Sequence, residues 1–111
     1  MADVALIDTL RSIDFSSITN SYQALGSSFE HPIHITIFTN DTDANMLLTL
    51  DPTEDQMILP AGGFKLFDLT TNRADYNANW TFAKGTQFYI KYQAAPTSGK
   101  VYIEGIYQRG K

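Results

Sequence analysis

The chain has no cysteine, no cluster of basic residues and no long apolar run. Without cysteine it has no disulfide framework, no thiolate zinc site and no thiol nucleophile. With 8 basic against 12 acidic residues, it lacks the usual electrostatic driving force for binding nucleic acid. No stretch approaches the ~18 apolar residues of a membrane span, and the acidic start MADVALIDTL is unlike a secretory signal. We therefore expect no nucleic-acid or membrane partner, and synthesis in a cytoplasm.

What is present is the texture of a β protein. Short segments rich in Ile, Thr, Tyr and Phe are separated by Asn, Asp, Gly and Pro every eight to twelve residues or so, which is typical of a sandwich or barrel. Strands are predicted at 17–25, 32–38, 46–51, 56–59, 64–70, 80–83, 87–93 and 100–108. Because this is the strand number of a jelly roll, we predict an all-β, antiparallel jelly-roll-like β-sandwich over residues 16–111.

In the segment PIHITIF, isoleucine alternates with other residues. Ile33, Ile35 and Ile37 point to one face and His34 and Thr36 to the other, the period-2 pattern of a half-buried strand. This pattern places His34 on the solvent face. His31 and His34 then point to opposite faces, so they are not predicted to chelate a metal together.

The N-terminal residues 1–15 carry the one helical pattern in the chain. Asp3 is a candidate N-cap. Apolar residues fall on one helical face at Leu6, Ile7, Leu10 and Ile13. Because a helix of ~10 residues is marginal in isolation, this face must pack on its own domain or, as an arm, on a neighbouring subunit. The sequence leaves both alternatives open.

The densest group of potential metal ligands is the segment TNDTDAN. Asp41, Asp43 and Asn45 match the first ligand positions of a calcium loop, but Met46 and Pro52 stand where such a loop needs Gly and Glu. Asn and Asp also accept left-handed dihedral angles and bind their own backbone. We predict a turn between two strands and no metal site.

The sequence predicts neither a catalytic nor a cofactor site. Asp51, Glu54 and Asp55 cluster in DPTED, which indicates an exposed turn rather than the carboxylate pair of a glycosidase. The chain has no Gly-flanked serine of the nucleophile-elbow type, and AGG lacks the spacing of a phosphate loop. We expect no enzyme activity and no cofactor.

Aromatic residues supply the remaining candidates. In QFYIKYQ, Phe88, Ile90 and Tyr92 share a predicted core face, which leaves Tyr89 on a face that is either wet or covered by a partner. Tyr102 is in the same position on the last strand. Together with Tyr76 and Trp80, these side chains suggest either a protein interface or the sugar-stacking platform of a carbohydrate-binding module.

Four segments carry a family resemblance: SYQALGSSFEHPIHITIFTNDTDANMLLTLD, LPAGGFKLFDLTTN, KGTQFYIKY and APTSGKVYIEGIY. They cover roughly residues 20–108 and resemble small jelly-roll virion proteins of tailed phages, most of all the capsid decoration, or staple, proteins of epsilon-fifteen-type short-tailed phages. The resemblance implies a structural protein without catalysis on the outer capsid surface of the virion, which binds the major capsid protein and links neighbouring capsomers. A position at the neck or tail of the virion is a variant of the same class.

The same resemblance implies self-association as a homodimer, since one self-complementary patch serves both partners at a two-fold axis. The residues predicted to form the partner interface come from the N-terminal segment and from the aromatic set. They are Leu6, Ile7, Leu10, Tyr76, Trp80, Tyr89 and Tyr102.

Overall fold

The computed structural model describes residues 4–69 and 81–109, and within them the chain is all-β. Two antiparallel sheets pack as a sandwich. The strands are β1 Val4–Ile7, β2 Arg11–Asp14, β3 Gln23–Ala24, β4 Ile35–Asn40, β5 Met46–Thr49, β6 Met57–Leu59, β7 Phe64–Asp68, β8 Tyr89–Tyr92 and β9 Lys100–Arg109. A single 3₁₀ turn, Phe15–Ser17, follows β2. Among the residues that the structure describes, no helix is long and apolar enough to cross a membrane.

The strand order places the two ends of the chain side by side. The first sheet has the order β1-β9-β4-β7, with β2 also paired to β9, and the second has the order β3-β8-β5-β6. Strands therefore pair from the ends inward: β2 with β9, β3 with β8, β4 with β7 and β5 with β6. The predicted strand at 80–83 is reduced, among the described residues, to one bridge between Ile33 and Phe82. The β-sandwich is confirmed, and the jelly-roll connectivity stays a prediction.

The predicted N-terminal helix is wrong, because residues 4–14 extend along β9 instead. β1 pairs with β9 from Val4–Arg109 to Ile7–Ile106, and β2 pairs with it from Arg11–Ile103 to Asp14–Lys100. A short isolated helix gains little stability, whereas the ten residues of β9 offer a backbone partner to both segments. Tertiary pairing overrides the local helical spacing.

The centre of the sandwich is a cluster of phenylalanine rings. Ring centroids in neighbouring pairs lie 4.8 to 6.3 Å apart, and most pairs meet edge to face, the geometry that aromatic quadrupoles favour. The members are Phe29, Phe38, Phe67, Phe82 and Phe88. Ile90 of β8 points inward and is buried, as predicted, and Val101 and Ile103 of β9 are buried as well.

The alternation in β4 is present, but its isoleucines lie on the outer face. Thr36 and Phe38 are buried, and Ile35 and Ile37 alternate with them and are half-buried. Phe38 decides the direction because its ring belongs to the aromatic cluster, and the Thr36 hydroxyl donates to the Glu104 carbonyl at 2.9 Å. His34 is half-buried rather than on an open solvent face, and its Nδ1 has no hydrogen-bond partner among the described residues.

Candidate functional site

The outer side of the first sheet carries an unusually apolar surface. The strand register aligns Ile35, Ile106 and Ile7 in one row across β4, β9 and β1. In the next row on this side Leu66 of β7 lies opposite Ile37, and in the row after that Phe64 lies opposite Thr39. We call this surface the outer apolar face and define it as Ile7, Ile35, Ile37, Phe64, Leu66 and Ile106.

Several side chains of the outer apolar face are largely exposed. Ile7 is 79% exposed, Phe64 69% and Leu66 54%. Single exposed apolar residues are ordinary on protein surfaces, but a contiguous patch marks a binding surface. Glu104 lies on the same face opposite Ile37, and Asp68 lies there opposite Ile35, so a partner would meet two carboxylates beside the apolar side chains. Apolar side chains with a few charges that set the register are typical of a protein interface.

A β-bulge at residues 8–10 shapes the edge of this face. Ile7 lies opposite Ile106 and Arg11 opposite Ile103, so residues 8–10 face only residues 104 and 105 of β9. The Asp8 backbone N–H donates to the Gly105 carbonyl at 2.9 Å. An inserted residue changes which side chains point inward. Asp8 and Arg11 therefore both point into the protein, while Leu10 between them is 57% exposed.

Arg11 is held by backbone carbonyls and by Asp8. Its side chain is 3% exposed and lies 3.3 Å from the Asp8 carboxylate. Its Nε donates to the Ser27 carbonyl at 2.7 Å and its Nη2 to the Ser28 carbonyl at 2.6 Å, and its Nη1 donates to the Thr9 carbonyl. The guanidinium carbon also lies 5.2 Å from the centre of the Phe29 ring. A buried charge needs such partners, and here the donors are satisfied.

Asp8 joins this pair to His31. The His31 Nδ1 lies 3.1 Å from Asp8 Oδ1, and the imidazole stacks on the Tyr107 ring at 3.7 Å between centroids. Burial raises the pKa of Asp8, but the backbone N–H of Thr9, the His31 hydrogen bond and the Arg11 charge outweigh burial, so the pKa lies below its ordinary value of 3.8. The ionised carboxylate thus contacts both the Arg11 guanidinium and the His31 imidazole.

Asp8, Glu30 and His31 also bring three potential metal ligands together. Their ligand atoms lie within 4.8 Å of one another, and carboxylates with imidazole are a ligand set for zinc. However, Asp8 already has the Arg11 guanidinium as its positive partner, and the Thr9 hydroxyl donates to Glu30 at 3.2 Å. These side chains have partners within the protein, and we interpret the network as one that stabilises the bulge. This network was not predicted from the sequence, because the spacing of residues along the chain does not reveal a β-bulge.

The acidic segment TNDTDAN is a turn whose polar groups bind the protein itself. Asn40 is fully buried, and its Nδ2 donates to the carbonyls of Ala44 and Leu59 at 2.9 Å and of Pro60 at 3.1 Å. The Thr97 hydroxyl and backbone N–H donate to the Asp43 carboxylate and lower the pKa of Asp43. Within this turn the oxygens of Asp43 serve the neighbouring loop, as expected for a structural turn.

The predicted carboxylate cluster in DPTED is divided between two tasks. Asp51 accepts hydrogen bonds from the Thr53 backbone and hydroxyl, while Asp55 lies over the second sheet. There the Tyr22 hydroxyl donates to Asp55 at 2.8 Å, and Lys91 lies 3.3 Å from the same carboxylate. Burial, together with Asp55, raises the pKa of Tyr22 to about 12. These groups fasten the β5–β6 turn to the sheet.

The predicted interface residues that the structure describes are distributed over both sheets. Ile7 and Leu10 are exposed, whereas Leu6 is half-buried opposite Tyr107. Tyr102 alternates with buried residues of the first sheet, and Tyr89 with buried residues of the second. These two tyrosines therefore lie on the outer sides of opposite sheets and cannot form a common sugar-stacking platform. Tyr76 and Trp80 lie outside the described residues.

Most of the outer apolar face was not predicted from the sequence. Its unpredicted members are Ile35, Ile37, Phe64, Leu66 and Ile106. The available signal was the segment FKLFD, in which Phe64 and Leu66 share one side and Phe67 points to the other. A strand that is apolar on both sides indicates either complete burial or a partner.

No protein-family model, curated protein or solved structure matches this chain.

Proposed function

We propose that the protein is a non-catalytic structural component of a virion, which decorates the outer capsid surface by binding the major capsid protein through its outer apolar face. The observation that carries the proposal is the exposure of Phe64, Leu66 and Ile7 on the outer side of one sheet, with Ile7 at its β1 edge and the other two at its β7 edge. The resemblance of four sequence segments to phage decoration proteins supplies the identity of the partner.

The strand pairing supports a jelly roll for this sandwich. Pairing β2 with β9, β3 with β8, β4 with β7 and β5 with β6 describes one long hairpin. The additional pairs β4–β9 and β5–β8 roll that hairpin into two sheets, which is the arrangement of jelly rolls in capsid proteins. The fold alone does not define a function, so the binding surface has to be tested directly.

The size of the outer apolar face suits binding in many copies. Four strands spaced ~4.8 Å apart, with about five residues each at ~3.3 Å, give a footprint of roughly 300 Å². Standard interfaces bury ~800 Å² per partner, so this face alone supports only modest affinity at one site. On a shell, the decorating copies occupy a repeated surface, and links between neighbouring capsomers add avidity.

The test is cosedimentation with shells assembled from the cognate major capsid protein. The double variant Phe64→Ser/Leu66→Ser should lose at least about tenfold in affinity, because two apolar anchors become polar. The matched control is Ile58→Ser, since Ile58 is 41% exposed on the second sheet and should leave binding unchanged. Failure of the wild-type protein to bind shells would overturn the capsid assignment, and binding to isolated neck or tail complexes would move the role within the virion.

A further inference from the structure

The edges of the two sheets differ in how well they are protected. An edge strand exposes unpaired backbone groups, and proteins protect such edges with short strands, charges or proline. β3 has two residues, and β6 has three and is followed by Pro60. β7 carries Lys65 and Asp68, and β2 carries Arg11 and Asp14. β1, with the sequence VALI, is longer than β3 and β6 and carries neither a charge nor a proline.

Half of the backbone N–H and C=O groups of β1 point away from β9 and are available to pair with another strand. The Asp8 N–H donates to Gly105, and bonded residues alternate along an antiparallel ladder. The backbone groups of Val4 and Leu6 therefore point to β9, whereas those of Ala5 and Ile7 point away from the sheet. These outward groups have no strand beside them among the described residues.

We propose that β1 pairs antiparallel with β1 of a second copy of this chain, so that the two first sheets join into one. With Leu6 on the two-fold axis, Ile7 of each copy lies opposite Ala5 of the other, and the small alanine leaves room for the isoleucine. Both side chains lie on the outer side, because Ile7 aligns with Ile106 and Ala5 with Gln108. Pairing a strand with its own copy is self-complementary, as a two-fold interface requires.

Charge favours this edge for contact between identical chains. Each copy has a formal net charge of -4, which opposes association over most of the surface. The four residues of β1 carry no charge, so the copies meet there without like charges in register. A four-residue edge buries less than the ~800 Å² per partner of a standard interface, so the dimer should be weak and dependent on concentration.

The first experiment measures the oligomeric state by sedimentation velocity over a wide range of protein concentration, without capsid. The wild-type chain should change from monomer to dimer. Ala5→Pro removes the outward N–H and should raise the dissociation constant about tenfold, equivalent to about 1.4 kcal/mol. Proline is tolerated at an edge position whose N–H faces solvent, and the melting temperature of the monomer checks that the variant folds.

Two matched variants separate edge pairing from general apolar association. Ala5→Val keeps the N–H and should retain the dimer, and Leu10→Ser removes an apolar side chain that is 57% exposed outside β1 and should also retain it. A wild-type chain that stays monomeric at all concentrations overturns the proposal. Loss of the dimer in Leu10→Ser but not in Ala5→Pro also overturns it.

Amide hydrogen exchange on the wild-type protein tests the geometry without any substitution. The Ala5 and Ile7 amides should gain protection as the dimer forms, while the Leu6 amide, bonded to β9, should be protected in both states. A dimer in which Ala5 and Ile7 exchange as fast as in the monomer overturns the β1 assignment. Because no capsid is present, this result is separate from the outcome of the shell-binding test.

Discussion

Asp8 and Arg11 are both buried and lie 3.3 Å apart, although they stand three residues apart in an extended segment. In a regular strand this spacing directs side chains to opposite faces. The bulge at residues 8–10 cancels that reversal. Gly105, which lies opposite the bulge, packs closely on the core, since a Cβ there would lie 3.1 Å from the Ile33 side chain. The geometry of the buried ion pair therefore depends on the bulge.

Removing Asp8 should destabilise the fold strongly. Asp8→Ala leaves the Arg11 charge buried without its carboxylate, and breaking such a pair costs about 3–5 kcal/mol. The free energy of unfolding, measured by urea denaturation, should fall by this amount. Glu54→Ala is the control, because Glu54 is an exposed acid of the β5–β6 turn, and it should change stability by less than about 0.5 kcal/mol. Equal effects of the two variants would show that the pair contributes no stability.

The same pair should make stability sensitive to acid. The folded-state pKa of Asp8 lies below 3.8, so its contribution is complete above the unfolded value and is lost as pH falls through the folded value. Asp14, Asp43, Asp51 and Asp55 have lowered pKa values as well and act in the same direction. The wild-type chain should therefore lose stability below about pH 4. Asp8→Asn should show a shallower loss, and identical slopes would contradict the assignment.

The fold class and the turns were predictable because they depend on local chemistry. Alternation and turn residues identified most strands, and the failed calcium spacing identified TNDTDAN as a turn. Which face of β4 is buried was not predictable from the sequence. Phe38 points inward because it packs on Phe67 and Phe88, and both of these are distant from it in the chain. The N-terminal strands likewise depend on β9, whose paired residues lie 86 to 105 positions away in sequence.

The candidate surface followed the same division. Ile7 and Leu10 were predicted as contacts from their apolar character, and both are exposed. Ile35 and Ile37 were assigned to the core face, because the pattern placed His34 on the solvent face. A period of two does not by itself say which face of a strand is buried. Only the position of Phe64 and Leu66 beside them, across the β4–β7 ladder, shows that these residues form one outer surface.

Asn40 should be far more sensitive than its neighbour Asn45. Asn40→Asp keeps the shape, and its Oδ1 can still accept from the backbone N–H and hydroxyl of Thr42. Its second carboxylate oxygen, however, replaces the Nδ2 donor and faces the carbonyls of Ala44, Leu59 and Pro60, which is costly for a buried charge. We expect a loss of about 3 kcal/mol or more in the free energy of unfolding. Asn45→Asp is the control, since its oxygen accepts from the Ala61 N–H and an aspartate can still do so. A loss of comparable size in both variants would contradict the role of Asn40.

Alanine substitutions at Gly99 and Gly85 distinguish the effect of backbone conformation from the effect of close packing. Both have positive φ, +96° and +90°, so replacement by alanine strains the backbone at each by about 1–2 kcal/mol. At Gly99 a Cβ would lie 1.9 Å from the Asp41 carbonyl oxygen, whereas at Gly85 nothing lies within 4 Å. The turn TNDTDAN thus packs directly on the loop before β9, and only Gly99→Ala should force the two apart. Thermal unfolding should show a much larger drop in melting temperature for Gly99→Ala than for Gly85→Ala, and similar drops would mean that the loops are not in contact.

Because the same loop supplies Thr97 to Asp43, Gly99→Ala should also return the Asp43 pKa toward its ordinary value, which carboxylate NMR titration would detect.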